Sequence, residues 1–407
     1  MDKHLVIVGA GQAGASLIQS ARQLGHNGRI TVIAEEPYLP YQRPPLSKKY
    51  LAGDFERERL FLRPDSFYAE RGVELLLQRR AVEVDVTAHR VRLDDDTQID
   101  YDCLALATGS APRRVDLPGS DLPGVHYLRT IADVDGIRAD LESAQRAVIV
   151  GAGYIGLEVA ASCVSRGVSV TVLEAAPRIL GRVVCDTTAD FYSNLHSEHG
   201  TAIHCNADIR RFTGTDKVSG VELADGTIHE CDCVVIGIGV LPNVQLAEQA
   251  GLACDNGISV DPQTRTSAPD VVALGDCTSH EHPLVGTRVR LESVQNAIEQ
   301  GKCAAGTLFA DARSFDDVPW FWSDQYDLKL QIAGLARDYD TTVVRGDPAQ
   351  RSFAVYYLDG RRLVAVDAIG APRDFILAKK LIAAGAQLDP DAIADVECDL
   401  EALATGD

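Results

Sequence analysis

The sequence predicts an α/β protein with two Rossmann-like dinucleotide-binding units and a C-terminal α+β domain. Three observations predict it. A strand–glycine–helix pattern occurs twice, first in Leu5–Gly14 (LVIVGAGQAG) and again in Ala147–Gly156 (AVIVGAGYIG). Each copy is followed by a further apolar strand that ends in an acid, Glu35 or Glu174. Beyond Val318 the composition turns to aromatics and short apolar runs with strand periodicity.

In the first copy, Val6, Ile7 and Val8 read as a buried strand, and Gly9, Gly11 and Gly14 open the helix. The first glycine of such a motif permits the tight turn. The second admits a pyrophosphate to the backbone, and the third lets helix and strand pack closely. The helix N-terminus adds unpaired N–H groups and positive dipole. Arg29–Ala34 reads as the next strand, and Glu35 stands where a carboxylate meets an adenosine ribose. The second copy repeats the logic with Gly151, Gly153 and Gly156, the strand Val168–Leu173, and Glu174.

Between the copies, Tyr38–Lys48 (YLPYQRPPLSK) reads as a proline-stiffened, non-helical loop that ends at a helix start and carries Arg43 and Lys48. Residues 60–80 are expected to be helical. Ala81–Thr87 alternates as a strand, where the backbone of Val82 could read an adenine edge, and Asp94–Thr97 forms a hairpin turn. Tyr101–Gly109 is a buried strand running into Ala107-Thr108-Gly109. Residues 112–124, with three prolines and two glycines, are expected to be a linker, followed by an Arg129-containing segment and a helix to about Ser143. Cys233–Gly239 is a further strand ending in glycines. The strand Val271–Leu274 ends in Gly275-Asp276, which puts a carboxylate at a sheet's C-terminal edge, where ligands bind. Glu292 begins the next helix. Strands are expected at 328–333, 341–344, 353–358 and 363–368, then a helix from Pro372. The segments give domains at 1–110, 111–238, 239–316 and 317–407.

The 407 residues suffice for two or three buried cores. A net charge of −20 argues against nucleic acid, whose phosphates need a basic footprint. No apolar run approaches the ~18 residues that span a bilayer. No basic, apolar leader precedes the first strand, and the ten cysteines include no C-x-x-C, which disfavours a dithiol or simple zinc site. The expectation is a cytoplasmic enzyme with reduced thiols and no bound metal. The last 27 residues carry seven acids and no base.

Together, the first fingerprint, the RPPLSK loop, the ATG strand, the second fingerprint with its G-L-E continuation, the GD strand and the β-rich end resemble the oxygenase-coupled ferredoxin reductases of the glutathione-reductase-like flavoproteins. The resemblance covers essentially the whole chain. It implies an FAD domain interrupted by an NAD domain. FAD would be held by Gly9, Gly11, Ala13, Gly14, Glu35, Arg43, Lys48, Val82, Ala107, Thr108, Gly109, Arg129, Asp276 and Val294. NADH would lie on Gly151, Gly153, Tyr154, Ile155, Gly156, Glu158, Glu174 and Gly239. Lys48 would lie near flavin N5 and pair with Glu158, expected in the first turn of its helix, and Trp322 would sit at the flavin edge or partner face.

The implied function is NADH:ferredoxin oxidoreductase: hydride passes to FAD and electrons leave singly to a [2Fe–2S] ferredoxin that serves a cytochrome P450 or ring-hydroxylating oxygenase. Glu174 favours NADH over NADPH, with Arg178 the one nearby cation. The chain is expected to be a monomer or weak homodimer. Acidic ferredoxins would dock on basic clusters, either Arg288, Arg290 and Lys302 or Arg373, Lys379 and Lys380. Two related activities remain as alternatives: an NADH oxidase or quinone reductase, and a redox-gated interaction protein of the apoptosis-inducing-factor type. The first loop has no cysteine, since none occurs before Cys103.

Overall fold

Leu5–Val8 is an unbroken apolar run, and it becomes the central strand of a five-stranded parallel sheet in the computed structural model, which describes residues 3–405. Asp407, the last acid of the terminal stretch, lies outside the described residues. The chain divides into two units, each assembled from three segments. The first comprises Met1–Gln42, Arg57–Ala111 and Leu241–Pro319; the second comprises Arg43–Glu56, Pro112–Val240 and Trp320–Asp407.

In the first unit the sheet order is Val271–Ala273, Cys103–Leu106, Leu5–Val8, Ile30–Ala34, Val73–Leu77, with every neighbouring pair parallel. Leu5–Val8, Ile30–Ala34 and Cys103–Leu106 are buried on both faces, as crossover connections require. The helices Gln12–Gln23 and Val294–Phe309 cover one face. They cross closely at Gly301, where a Cβ would lie 2.9 Å from the Ala13 carbonyl. The antiparallel strands Ala81–Asp85, Arg90–Leu93 and Gln98–Asp100 pack on the other face. The expected helix over 60–80 is absent. That segment is a 3-10 turn at Arg57–Leu60, a short helix at Asp65–Glu70 and the edge strand Val73–Leu77. Gly72, at φ +60°, ends the helix, and the leucines that follow pair with Ile30–Ala34.

The second unit repeats the design, with the parallel order Ala202–His204, Ser169–Leu173, Arg146–Val150, Cys233–Ile236, Val125–Tyr127. A small antiparallel sheet, Ile209–Gly214, Val218–Leu223 and Ile228–Glu230, joins it. The stretch 112–124 is no linker. Phe212 N–H donates to the Pro118 carbonyl and Val218 N–H to that of Pro123 (both 2.9 Å), which ties it to this small sheet. The proline loop is fixed as expected but not wholly non-helical, because Pro44–Ser47 closes a 3-10 turn with proline at its first positions. A five-stranded antiparallel sheet completes the unit: Trp320–Gln325, Leu328–Gly334, Arg362–Ile369, Ser352–Asp359, Thr341–Asp347. Its first strand was not foreseen. The helix Pro372–Ala383 packs on this sheet. Among the described residues, no helix is long and apolar enough to cross a membrane.

Candidate functional site

The two glycine turns are built alike, and the three glycines differ in what surrounds them. A Cβ on Gly9 would meet the Ala107 carbonyl oxygen at 2.1 Å, and one on Gly14 the Gly9 oxygen at 2.4 Å. In the second turn, Gly151 would meet the Gly237 oxygen at 2.5 Å and Gly156 the Gly151 oxygen at 2.0 Å. These four positions are closed by backbone. The middle glycines, Gly11 and Gly153, meet nothing within 4 Å. Each is the N-cap of its helix with no side-chain cap, so each turn leaves an open cradle below unpaired helix N–H groups. That cradle has the shape and polarity a pyrophosphate needs.

Around the first cradle, Ala13 is buried on the helix, while Glu35 is exposed just past its strand. Its neighbour Glu36 accepts from Tyr41 Oη at 2.6 Å, a contact the spacing did not reveal. Val82 sits at a bulge between Ala81 and Glu83, outside the register of its partner strand. Thr108 Oγ1 donates to the Asn243 carbonyl (2.6 Å), and Asn243 Nδ2 returns a bond to the Thr108 carbonyl (2.8 Å). Gly109 follows at φ +67°. Ser110 Oγ donates to Asp276 Oδ2 (2.9 Å), which brings the ATG and GD strand ends together. Gly275 N–H is held by Gln300 Oε1 at 2.7 Å. The next helix starts two residues later than expected. Val294 is its first residue, and Ser293 is the N-cap, accepting from Asn296 N–H.

In the second unit, Glu174 folds back to the glycine turn. One carboxylate oxygen accepts from Ala152 N–H (2.6 Å), the other from Ala176 N–H (2.8 Å). Arg178 is engaged elsewhere, by Asp186 and the Val184 carbonyl. Ile155 is 40% exposed beside the cradle, and the Tyr154 ring leans on Phe321 at 4.9 Å. Gly239 is exposed at φ +102°. Arg43 Nη1 donates to the Arg129 carbonyl (2.6 Å).

Lys48 and Glu158 do meet. Lys48 Nζ lies 2.7 Å from Glu158 Oε2, with the side chains 15% and 3% exposed. Ser47 Oγ donates to the same oxygen (2.5 Å), and Ser323 Oγ to Oε1 (2.6 Å). Glu158 is not in the first turn of its helix: with Gly153 as N-cap and Tyr154 as the first residue, it falls in the second. Its environment is therefore set by these three partners rather than by the helix terminus. Ser47 was visible inside the RPPLSK motif, but Ser323 carries no motif.

Trp322 is half-buried on the first strand of the antiparallel sheet, 5.7 Å from Trp320, and Lys379 Nζ lies 5.5 Å above the Trp320 ring. Of the basic clusters, Arg290 pairs with Glu292, Lys302 with Glu299 and Lys380 with Glu401. Arg373 is exposed, and Arg288 donates to the Ser279 carbonyl.

Residues 3–301 match the family model described as pyridine nucleotide-disulphide oxidoreductase, and residues 320–404 match that described as reductase C-terminal. The chain is 42% identical to rhodocoxin reductase of Rhodococcus erythropolis, over 98% of this chain and 93% of that one. It is 38% identical to the putidaredoxin reductase of Pseudomonas putida, over 99% and 97%. Among solved structures, the ferredoxin reductase for the CYP199A2 system of Rhodopseudomonas palustris superposes with a TM-score of 0.96 at 40% identity, covering 99% and 100%. The covalent putidaredoxin reductase–putidaredoxin complex gives 0.96 at 37%, covering 100% and 99%.

Proposed function

Since the chain belongs to the pyridine nucleotide-disulphide oxidoreductase family, we propose that it is an FAD-dependent reductase that passes electrons from NADH to a [2Fe–2S] ferredoxin serving a cytochrome P450 or a ring-hydroxylating oxygenase. The observation that carries this reading is the pair of open glycine cradles, one per unit, on a chain similar over its whole length to ferredoxin reductases. Bound FAD supplies the link between two-electron and one-electron chemistry. The balance is one NADH and two oxidised ferredoxins giving NAD⁺, a proton and two reduced ferredoxins.

The residues divide the work. Gly9, Gly11, Ala13 and Gly14 hold the FAD pyrophosphate, Glu35 its ribose, and Val82, freed by its bulge, the adenine edge. Ala107, Thr108, Gly109, Asp276 and Val294 line the remainder, with Arg43 and Arg129 as further contacts. Gly151, Gly153, Tyr154, Ile155, Gly156 and Gly239 take NADH. Glu174 selects NADH over NADPH, because a carboxylate accepts from a 2′-hydroxyl and repels a 2′-phosphate, and Arg178 is tied to Asp186. Lys48 and Glu158 set the electrostatics of hydride transfer, and Trp322 belongs to the partner face. An NADH-fed enzyme with ten cysteines, none disulfide-bonded among the described residues, belongs in the cytoplasm.

The test is stopped-flow on FAD-loaded protein, reduced anaerobically with one equivalent of NADH and then mixed with air-saturated buffer or with oxidised [2Fe–2S] ferredoxins. Slow reoxidation by oxygen and fast reoxidation by a ferredoxin is the expected outcome. Fast reoxidation by oxygen with no added effect of any ferredoxin would replace this reading with an oxidase. NADPH reducing the protein as well as NADH would remove the assigned role of Glu174.

A further inference from the structure

The carboxylate of Glu158 ends a chain of buried hydrogen bonds whose direction is fixed at every link. Ser323 Oγ has one proton and donates it to Glu158 Oε1 (2.6 Å), because an ionised carboxylate can only accept. Ser323 Oγ must then act as acceptor toward Gln325 Nε2 (3.1 Å). This orients the amide, so Gln325 Oε1 faces His196 Nε2 (2.9 Å) and His196 carries its proton there. His196 Nδ1 is left to accept from Tyr326 Oη (3.1 Å), whose oxygen lies 3.3 Å from Thr201 Oγ1. Ser323, Gln325 and His196 are each 0% exposed. Burial lowers His196 to about 4 and so keeps the ring neutral, with one nitrogen free to accept.

The arrangement follows from strand periodicity. Alternation along Trp320–Gln325 turns Phe321, Ser323 and Gln325 to one face, where Phe321 meets Tyr154 and Ser323 meets Glu158. Without Ser323, Glu158 Oε1 would have no partner among the described residues, while Oε2 would keep Ser47 and Lys48. The carboxylate would then be free to turn about its last bond, and the Lys48 ammonium would follow it.

We propose that Ser323, Gln325 and His196 are positioning residues: they lock the Glu158 carboxylate in one orientation, and so fix where the Lys48 charge stands. The proposal rests on the reading above that Lys48 and Glu158 act in hydride transfer. It assigns to the C-terminal antiparallel sheet a part in that step, beyond its place in the fold.

The experiment uses FAD-loaded Ser323→Ala, Ser323→Thr and Gln325→Met beside the wild type. Two quantities are read: the midpoint potential of the bound flavin and the stopped-flow rate of its reduction by NADH. A hydrogen bond to a charged group is the one removed, so Ser323→Ala should slow reduction about tenfold and displace the potential. Ser323→Thr, which keeps the hydroxyl, should restore both. Gln325→Met, one link further away, should shift both in the same direction by less. A role confined to packing would leave the potential in place. Ser323→Ala with potential and rate unchanged overturns the proposal, as does Ser323→Thr failing to rescue. If Ser323→Ala does not retain flavin, Gln325→Met decides, and wild-type values in that variant overturn the proposal. Wild-type protein that NADH does not reduce would instead strike at the functional reading on which this one stands.

Discussion

Asp367 offers a stability prediction with a definite sign. It lies on the Arg362–Ile369 strand, fully buried, with Oδ2 accepting from Tyr357 Oη (2.5 Å) and Thr188 Oγ1 (3.0 Å). Oδ1 has no hydrogen-bond partner among the described residues. Burial outweighs both bonds and raises the group from 3.8 to about 7. In the unfolded chain the carboxyl loses its proton near pH 4; in the fold it holds the proton until about 7. Stability from this group is therefore fully present below pH 4 and lost as pH rises to about 7, after which the loss is constant. Three pH units at ~1.4 kcal/mol each make the loss roughly 4 kcal/mol, an upper figure for one group. Asp367→Asn removes the titration but buries an amide with unmet donors, at a cost of about 1–3 kcal/mol. Relative to wild type, the variant should gain roughly 3 kcal/mol of stability between pH 5 and pH 8, and should be the more stable protein at pH 8. Urea titrations followed by tryptophan fluorescence suit the question, since both tryptophans lie on the Trp320–Gln325 strand of the same sheet. The difference between the two proteins isolates this group from all other titrations. A difference that stays constant from pH 5 to 8 would refute the reasoning.

Three further outcomes are expected. Gly153→Ala, with open space around its Cβ, should melt like wild type yet bind NADH about tenfold more weakly by titration, whereas Gly156→Ala, 2.0 Å from a carbonyl oxygen, should lose stability as well; equal melting losses in both would contradict this division. Arg345 donates to the carbonyls of Ile393, Asp395, Val396 and Cys398, so Arg345→Met should raise hydrogen exchange across 390–400 at least several-fold, and an unchanged exchange map would mean the helix Pro390–Ala394 holds the tail unaided. Ellman's reagent should label at most three of the ten thiols in the native protein, Cys205, Cys254 and Cys398, because the others are buried and burial lifts Cys163 to about 12; fast labelling of Cys163 would count against this packing.

Local chemistry made the cofactor cradles legible in the sequence. A glycine that must admit a neighbour's carbonyl leaves a mark at a fixed spacing, and so does an acid at a strand end. The central parallel strands were legible for a related reason: Leu5–Val8 and Arg146–Val150 are apolar throughout or nearly so, because both faces are covered. What stayed hidden depended on distant partners. Val73–Leu77 is a strand because Ile30–Ala34 offers it an edge, not because of its own leucine-rich pattern. The linker reading of 112–124 failed because prolines and glycines also suit a chain that lends its carbonyls to a neighbouring sheet. Ser323 lies 165 positions from Glu158, and no spacing rule links the two.

The likeness of the two glycine turns has a practical consequence for engineering. In each turn the first and third glycines are closed by backbone and the middle one, Gly11 or Gly153, is open, so the two sockets are nearly interchangeable. A socket common to both sites cannot tell one dinucleotide from another. Discrimination must reside in the segments just beyond the second strands, Glu35-Glu36-Pro37 in one unit and Glu174-Ala175-Ala176-Pro177 in the other. Redesign of the coenzyme preference should therefore leave the glycines untouched and exchange these short adaptors, which behave as modular keys on a common lock.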